Sequence, residues 1–338
     1  MGRVNGRIRA GILGVGSCVP ERVLTNFDLE KMVDTSDEWI STRTGIKERR
    51  IADESKATSD YAAGAARLAL ERAGVDPQEL DMIIVATVTP DMFFPSTACL
   101  VQEMIGATRA AAFDLSAGCS GFVYALDVAA RGIEAGAYRK VLVIGADLLS
   151  RVTDYTDRTT CVLFGDGAGA TVLGAVDEGG ILATYLGADG SGGEKLCIPA
   201  GGSRVPAGKA ESSRQHYIHM EGNEVFKFAV RIMPEAAMEV MRRAGVAPGE
   251  VDLFIPHQAN VRIIDAAAKR LGIESERVFV NVDRYGNTSA ASIPIALDEA
   301  VGTGKVKAGD ILVLVGFGAG LTWGAAALQW NGERMPRG

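Results

Sequence analysis

Cys119 is the residue best placed for covalent chemistry. It lies in Asp114-Leu115-Ser116-Ala117-Gly118-Cys119-Ser120-Gly121. Residues 110–113 before it are a short apolar run that reads as a buried strand. Residues 122–130 after it are apolar on nearly every face and read as a buried helix. The cysteine is therefore expected where a strand turns sharply into the first turn of a helix. Free backbone N–H groups and the positive end of the helix dipole meet there, and both favour a thiolate over a thiol. The arrangement is that of a nucleophile elbow with sulfur in place of oxygen.

A nucleophile needs partners, and three stretches offer them. The apolar run Leu253-Phe254-Ile255 leads through Pro256 into His257, with amides at Gln258 and Asn260. Ligands of open α/β sheets bind beyond strand C-terminal ends, so His257 is a candidate, although a histidine that only caps a strand is the plainer reading. Asn287 lies in Asp283-Arg284-Tyr285-Gly286-Asn287-Thr288-Ser289-Ala290-Ala291-Ser292, where ordinary helix capping would also account for it. Val315-Gly316-Phe317-Gly318-Ala319-Gly320-Leu321 can aim backbone N–H groups at an oxyanion, or be a plain hairpin. His216 and His219 fall in a polar stretch and read as surface residues. No acid is placed to orient His257, which favours a hydrogen-bond donor over a hydrolase base.

These residues must be held by a large core, and the composition allows one. The chain has 338 residues, 47% hydrophobic and 23% charged, enough for two domain-sized halves. A net charge of −7 argues against a general nucleic-acid binder. The five cysteines (Cys18, Cys99, Cys119, Cys161, Cys197) are scattered without a C-x-x-C pair, and there are three histidines. Neither a zinc site nor a disulfide framework is signalled. The first seven residues lack a signal-peptide core, and no apolar run is long enough to span a membrane. A soluble cytoplasmic protein with reduced thiols is expected.

An internal duplication organises the chain. Glu71-Arg72-Ala73-Gly74-Val75-Asp76-Pro77-Gln78-Glu79-Leu80-Asp81-Met82-Ile83-Ile84 recurs as Arg242-Arg243-Ala244-Gly245-Val246-Ala247-Pro248-Gly249-Glu250-Val251-Asp252-Leu253-Phe254-Ile255. Each copy is a helix end, a glycine stop, a proline turn and an apolar strand. Downstream, the strand and helix around Cys119 match a strand over 278–282 and a helix over 289–301. Strand 141–145 matches 311–315, and 168–176 matches 323–330. Further elements are a strand over 8–15, helical spacing over 26–33, a helix begun by Thr35-Ser36-Asp37-Glu38 and ended at Gly45, a helix over 59–73 and a strand over 81–88. Continuous apolar strands alternating with helices predict sheets covered on both faces and largely parallel. The halves divide as 1–177 and 178–338. Residues 189–219 read as a long surface excursion.

Together these stretches resemble the beta-ketoacyl-[acyl-carrier-protein] synthase III family of thiolase-like condensing enzymes. The resemblance rests on Asp34-Thr35-Ser36-Asp37-Glu38-Trp39-Ile40 with Arg43-Thr44-Gly45-Ile46, Ala117-Gly118-Cys119-Ser120-Gly121-Phe122 and Phe164-Gly165-Asp166-Gly167-Ala168-Gly169-Ala170. It rests also on Pro256-His257-Gln258-Ala259-Asn260, Gly286-Asn287-Thr288-Ser289-Ala290-Ala291-Ser292 and Gly316-Phe317-Gly318-Ala319-Gly320-Leu321-Thr322-Trp323-Gly324. It spans about residue 8 to the end. Thiolases would carry a second cysteine near the C-terminus, and none follows Cys197. Elongating synthases would carry histidine in place of Asn287.

The resemblance implies an α/β thiolase-like fold, two duplicated halves in a five-layered α-β-α-β-α sandwich. It implies the initiating step of type II fatty acid synthesis: decarboxylative Claisen condensation of a short acyl-CoA with malonyl-[acyl-carrier protein]. Catalysis would fall to Cys119, His257 and Asn287, with an oxyanion hole from the N–H groups of Cys119 and Ala319. Coenzyme A would contact Thr35, Trp39, Arg43, Arg158, Gly222, Phe226 and Asn260. The acyl pocket would involve Phe164, and Phe94 reaching across a homodimer interface. Lys227, Arg262, Lys269 and Arg270 would meet the acidic carrier protein. No metal or redox cofactor is implied.

Overall fold

The computed structural model describes residues 3–4 and 7–332. Residues 1, 2, 5, 6 and 333–338, which include most of the start read above for a leader, lie outside the described residues. The first half runs β1 (Arg7–Cys18), α1 (Asp37–Thr44), α2 (Thr58–Ala73), β2 (Met82–Ala86), α3 (Thr97–Ile105), β3 (Ala111–Leu115), α4 (Gly121–Glu134), β4 (Lys140–Leu148) and β5 (Asp166–Val176). The second runs β6 (Gly180–Ala188), α5 (Gly222–Ala244), β7 (Leu253–Pro256), α6 (Val261–Leu271), α7 (Ser292–Gly302), β8 (Ile311–Gly318) and β9 (Thr322–Gln329). The helix expected over 26–33 is a single turn, Asn26–Leu29.

The duplication appears in the sheets. One sheet is ordered β1-β5-β4-β2-β3, with the two-residue strand Arg3–Val4 outside β1; the other is ordered β6-β9-β8-β7. Beyond β7 the partner is a single parallel bridge from Phe254 to Val278. The strand expected over 278–282 is thus one bridge long. The chain turns into the short helix Val282–Tyr285 because Gln258 Oε1 accepts the N–H groups of Asn281 and Val282.

The sheets are mixed rather than largely parallel. β4 and β3 both run parallel to β2, but β5 is antiparallel to β4 and to β1. β7 and β8 are parallel, while β8–β9 and β9–β6 are antiparallel. The reason is in the connections. A parallel neighbour needs a crossover, usually an α-helix, and no α-helix intervenes between β4 and β5, where there is one 3-10 turn, or between β8 and β9.

Five layers result. α4 and α7 lie between the sheets, and Phe122, Leu126, Ile293 and Leu297 pack there with strand residues of both. Alanine-rich α2 covers the outer face of the first sheet with α3. α5 and α6 cover the second. Four apolar sheet faces are so removed from water, the main stabilising term of the fold. No helix among the described residues is long and apolar enough to cross a membrane.

β3 departs from its reading as a buried strand. It is the edge of the first sheet, and Ala111 and Phe113 are exposed on the single chain. Phe113 is 37% exposed, and Phe93 and Phe94 in the preceding loop are 80% and 84% exposed.

The start of α7 approaches β4 so closely that only glycine fits: a Cβ on Gly145 would collide with the carbonyl of Ala290. Gly145→Ala is expected to destabilise the fold by about 1–3 kcal/mol through overpacking. Urea denaturation midpoints of the two proteins measure this.

Candidate active site

Each central helix begins with a 3-10 turn, Gly118–Ser120 before α4 and Ser289–Ala291 before α7. The first faces the loop between β8 and β9; the second packs on β4 and against the first turn. Gly118 has φ +56, and a Cβ there would lie 2.8 Å from Ala319 N and 2.9 Å from Ala319 O. A Cβ on Gly318 would strike the backbone N of Cys119 and lie 3.0 Å from its Cβ. The two backbones therefore touch without intervening side chains, and the N–H groups of Cys119 and Ala319 belong to neighbouring loops.

Cys119, His257 and Asn287 line one tunnel of about 90 Å³. Its walls include Phe164, Gly222, Phe226 and Asn260. Beyond Cys119 lies a second, apolar cavity of about 260 Å³, lined by Val88, Leu149, Phe164, Leu196, Ile198, Ile218 and Ser289 among others. Residues 196–198 and 218 come from the stretch read above as a surface excursion. That stretch instead supplies a wall of the cavity, its few apolar side chains turned inward past glycine and serine. Phe94 lines neither cavity of its own chain.

His257 directly follows β7, and its Nδ1 lies 2.6 Å from Ser292 Oγ at the start of α7. Its ring packs edge-on against Phe317. Burial drives its pKa down from 6.5 to about 3, so the imidazole is neutral. Asn287 is fixed at both ends of its peptide unit: its N–H donates to Leu163 O at 2.8 Å, and its carbonyl accepts from Gly165 N–H at 2.9 Å. Asn287 Oδ1 accepts the N–H of Ser289 at 2.8 Å, so the amide is turned with Nδ2 free to donate.

Burial also dominates at Cys119. It pushes the thiol up to about 12, against a lowering by Ser289 and by its own backbone N–H, while Asp147 adds to the rise. The thiolate expected from the helix start is thus not the resting form. Desolvation outweighs the dipole at the base of the tunnel.

Sequence reasoning missed several residues here. Asp147, fully buried at the end of β4, accepts from Thr87 Oγ1, Val88 N–H and both donors of Thr89 on Oδ1, and from Ala290 N–H on Oδ2. An acid inside an apolar run was the available signal. Ser292 gave none, being 35 residues from His257.

The expected nucleotide contacts cluster on α1. Ser36 caps that helix by accepting Trp39 N–H, and Gly45 ends it in the left-handed region. Buried Arg49 donates to Asn26 Oδ1, and Asn26 Nδ2 reaches Asp37 and Ile46 O, which pins α1 to the body. The guanidiniums of Arg43 and Arg158 lie 5.2 and 5.0 Å from the Trp39 ring centre. Thr35 Oγ1 is buried without a partner. Asn260 Nδ2 donates to Arg43 O at 3.1 Å, joining this cluster to the tunnel wall. The expected basic patch is thinner than its composition: Lys227 pairs with Glu224 and Arg270 with Glu235, and Arg262 stacks on Phe226.

The fold and this site define a thiolase-like condensing enzyme. Family models for 3-Oxoacyl-[acyl-carrier-protein (ACP)] synthase III match residues 113–190, and for its C-terminal part residues 241–330. A beta-ketoacyl-[acyl-carrier-protein] synthase III of Caldanaerobacter subterraneus subsp. tengcongensis is 62% identical over 327 residues, 96% of this chain and 99% of the relative. One of Symbiobacterium thermophilum is 61% identical, covering 95% and 98%. The solved structure of 3-oxoacyl-[acyl-carrier-protein] synthase III from Aquifex aeolicus VF5 matches with a TM-score of 0.89 at 55% identity, covering 95% of this chain and 100% of that one. The chain belongs to the beta-ketoacyl-[acyl-carrier-protein] synthase III family, the condensing acyltransferases that initiate fatty acid synthesis.

The depressed pKa of His257 couples stability to pH. The unfolded chain binds this proton below about 6.5 and the folded chain only near 3, so stability present above 6.5 is lost progressively as pH falls through that window. His257→Gln should flatten this part of the stability–pH curve, as followed by urea denaturation at stepped pH.

Proposed function

We propose that the chain condenses a short acyl-CoA with malonyl-[acyl-carrier protein], through an acyl-Cys119 intermediate, to give 3-oxoacyl-[acyl-carrier protein], CO2 and CoA. The carrying observation is that Cys119, His257 and Asn287, remote in sequence, line one tunnel beside an apolar cavity. Cys119 Sγ attacks the thioester carbonyl, the thiol proton leaves with the CoA sulfur, and the acyl tail enters the cavity. A dry cavity of about 150 Å³ holds benzene, so about 260 Å³ accommodates branched and longer tails as well as acetyl.

Malonyl thioester then takes the place of CoA. Its carboxylate leaves as CO2, and the electron pair forms an enolate. Ser292 Oγ takes the N–H of Gln258, which leaves its proton for His257 Nδ1 and makes Nε2 the N–H donor. Two neutral donors, His257 Nε2–H and Asn287 Nδ2–H, stabilise the enolate oxygen. Its carbon attacks the acyl thioester, and the resulting oxyanion accepts from the N–H groups of Cys119 and Ala319. Collapse expels the Cys119 thiolate, which takes up a proton from solvent to restore the resting thiol. Each bond change is served by these groups, so the reaction needs neither a metal nor a redox cofactor.

Trp39 with Arg43 and Arg158 suits a nucleotide base and its phosphates, with the unpartnered hydroxyl of Thr35 beside them. Gly222, Phe226 and Asn260 line the path of the pantetheine arm. Exposed Arg262 and Lys269, with Lys227 and Arg270 at their paired margins, steer the acidic carrier protein. The open edge of β3 and the exposed Phe93, Phe94 and Phe113 favour a homodimer in which Phe94 closes the partner's acyl cavity. The half 1–177 then supplies the nucleophile and 178–338 the His/Asn pair, in a cytoplasmic enzyme.

A panel of acyl-CoAs with malonyl-[acyl-carrier protein], read by mass spectrometry of the carrier, is expected to yield 3-oxoacyl products from several short primers. No product with any primer would defeat the reading. In the same assay His257→Ala and Asn287→Ala should retain acylation of Cys119 yet slow condensation roughly 100–1,000-fold, the loss typical of one donor to a developing oxyanion.

A further inference from the structure

Ser289 is the counterpart of Gly118 in the duplicated halves: each opens a 3-10 turn three residues before a central helix. The backbone is the same in both, with φ +56 at Gly118 and +51 at Ser289. Ser289 is the one non-glycine residue with positive φ among the described residues. Side chains resist that conformation, and such strain concentrates at functional sites. A serine kept where the backbone asks for glycine calls for a use of its hydroxyl.

That hydroxyl is 1% exposed at the residue level and has no hydrogen-bond partner. It stands in the wall of the acyl cavity with Cys119. It is near enough to the Cys119 sulfur and to the Asp147 carboxylate to favour the ionised form of each, but forms a hydrogen bond to neither in the resting site. The flanking N–H groups hold the turn: that of Ser289 donates to Asn287 Oδ1 and that of Ala290 to Asp147 Oδ2 at 3.2 Å. A buried, unsatisfied donor beside a neutral thiol is satisfied when that thiol ionises.

We propose that Ser289 is a catalytic residue whose hydroxyl donates a hydrogen bond to the Cys119 sulfur as its thiolate forms, from a turn that Asp147 holds as a positioning residue. This rests on Cys119 being the nucleophile. The titratable groups facing the sulfur are Asp147 from β4 and His257 from β7. The carboxylate opposes the thiolate and the neutral imidazole adds no charge, which leaves the hydroxyl as a side-chain donor available to offset burial.

The test is the pH dependence of iodoacetamide alkylation at Cys119, read peptide by peptide by mass spectrometry, with exposed Cys99 as the reference in each sample. Ser289→Ala is expected to slow Cys119 alkylation roughly tenfold at about pH 8 and move its midpoint upward, the scale of one hydrogen bond to a charged atom, with Cys99 unchanged. Ser289→Gly removes the hydroxyl and relieves the backbone, and is expected to show the same loss. Wild-type alkylation in either variant overturns the proposal, because strain rather than the hydroxyl would then be at issue. An unreactive Cys119 in the wild type defeats the nucleophile reading instead, and this proposal with it.

Discussion

Two backbones from opposite halves of the chain touch at the centre of the molecule, and the site depends on that contact. Gly118 and Gly318 are the residues that permit it. A side chain on either would wedge the cysteine turn from the β8–β9 hairpin and separate the two N–H groups that neighbour there. The sandwich delivers this contact because both central helices start at the same level between the sheets. Their starts carry Cys119 and Ser289, and the ends of β7 and β8 bring His257 and Gly318 to the same floor. Duplication explains the economy. One α/β unit positions a helix start at a sheet's edge, and two copies face their helix starts at one point.

The same enclosure sets the electrostatics. Burial pushes the thiol of Cys119 and the carboxyl of Asp147 upward, and the imidazole of His257 downward. All three shifts favour the neutral forms. For His257 that is useful, since a neutral imidazole donates one N–H without protonating what it touches. For Cys119 it is an obstacle, because a thiol is a poor nucleophile. The carboxyl of Asp147 shifts the same way in spite of five donors, and it locks the 87–89 loop and the start of α7 together. A pocket that favours neutral reactants must supply hydrogen bonds at the moment charge develops.

Much of this was legible in the residues. The repeat 71–84 against 242–255 correctly paired the strands of the two halves, and the strand-to-helix turn at Cys119 and the cap-to-glycine span of α1 are as the residue types require. What was not legible depended on neighbours. Apolar runs record that a strand is covered, not which way it runs, so the antiparallel returns at β5 and β9 were missed; neither connection forms a crossover helix. Likewise, the run at 110–113 did not reveal that β3 is an edge. Leu196, Ile198 and Ile218 were hidden by the polar composition around them, although only their inward faces matter. The balance at Cys119 could not be read at all, since desolvation is a property of the enclosing fold.

The asymmetry between the halves is where chemistry entered the duplication. The two turns share a backbone, and the first carries glycine at the left-handed position because Ala319 leaves no room beside it. The second carries serine, also buried. The position after it is Cys119 in one copy and Ala290 in the other. The residue two positions before Ser289 is Asn287, whose amide oxygen is spent on Ser289 N–H, so that the nitrogen faces the tunnel. One turn therefore presents sulfur and its own N–H, while its duplicate presents an amide donor and a hydroxyl. A single structural device, used twice, carries a cysteine on one side and hydrogen-bonding groups on the other. No further element is needed to bring the two together, because the contact between the halves already does so.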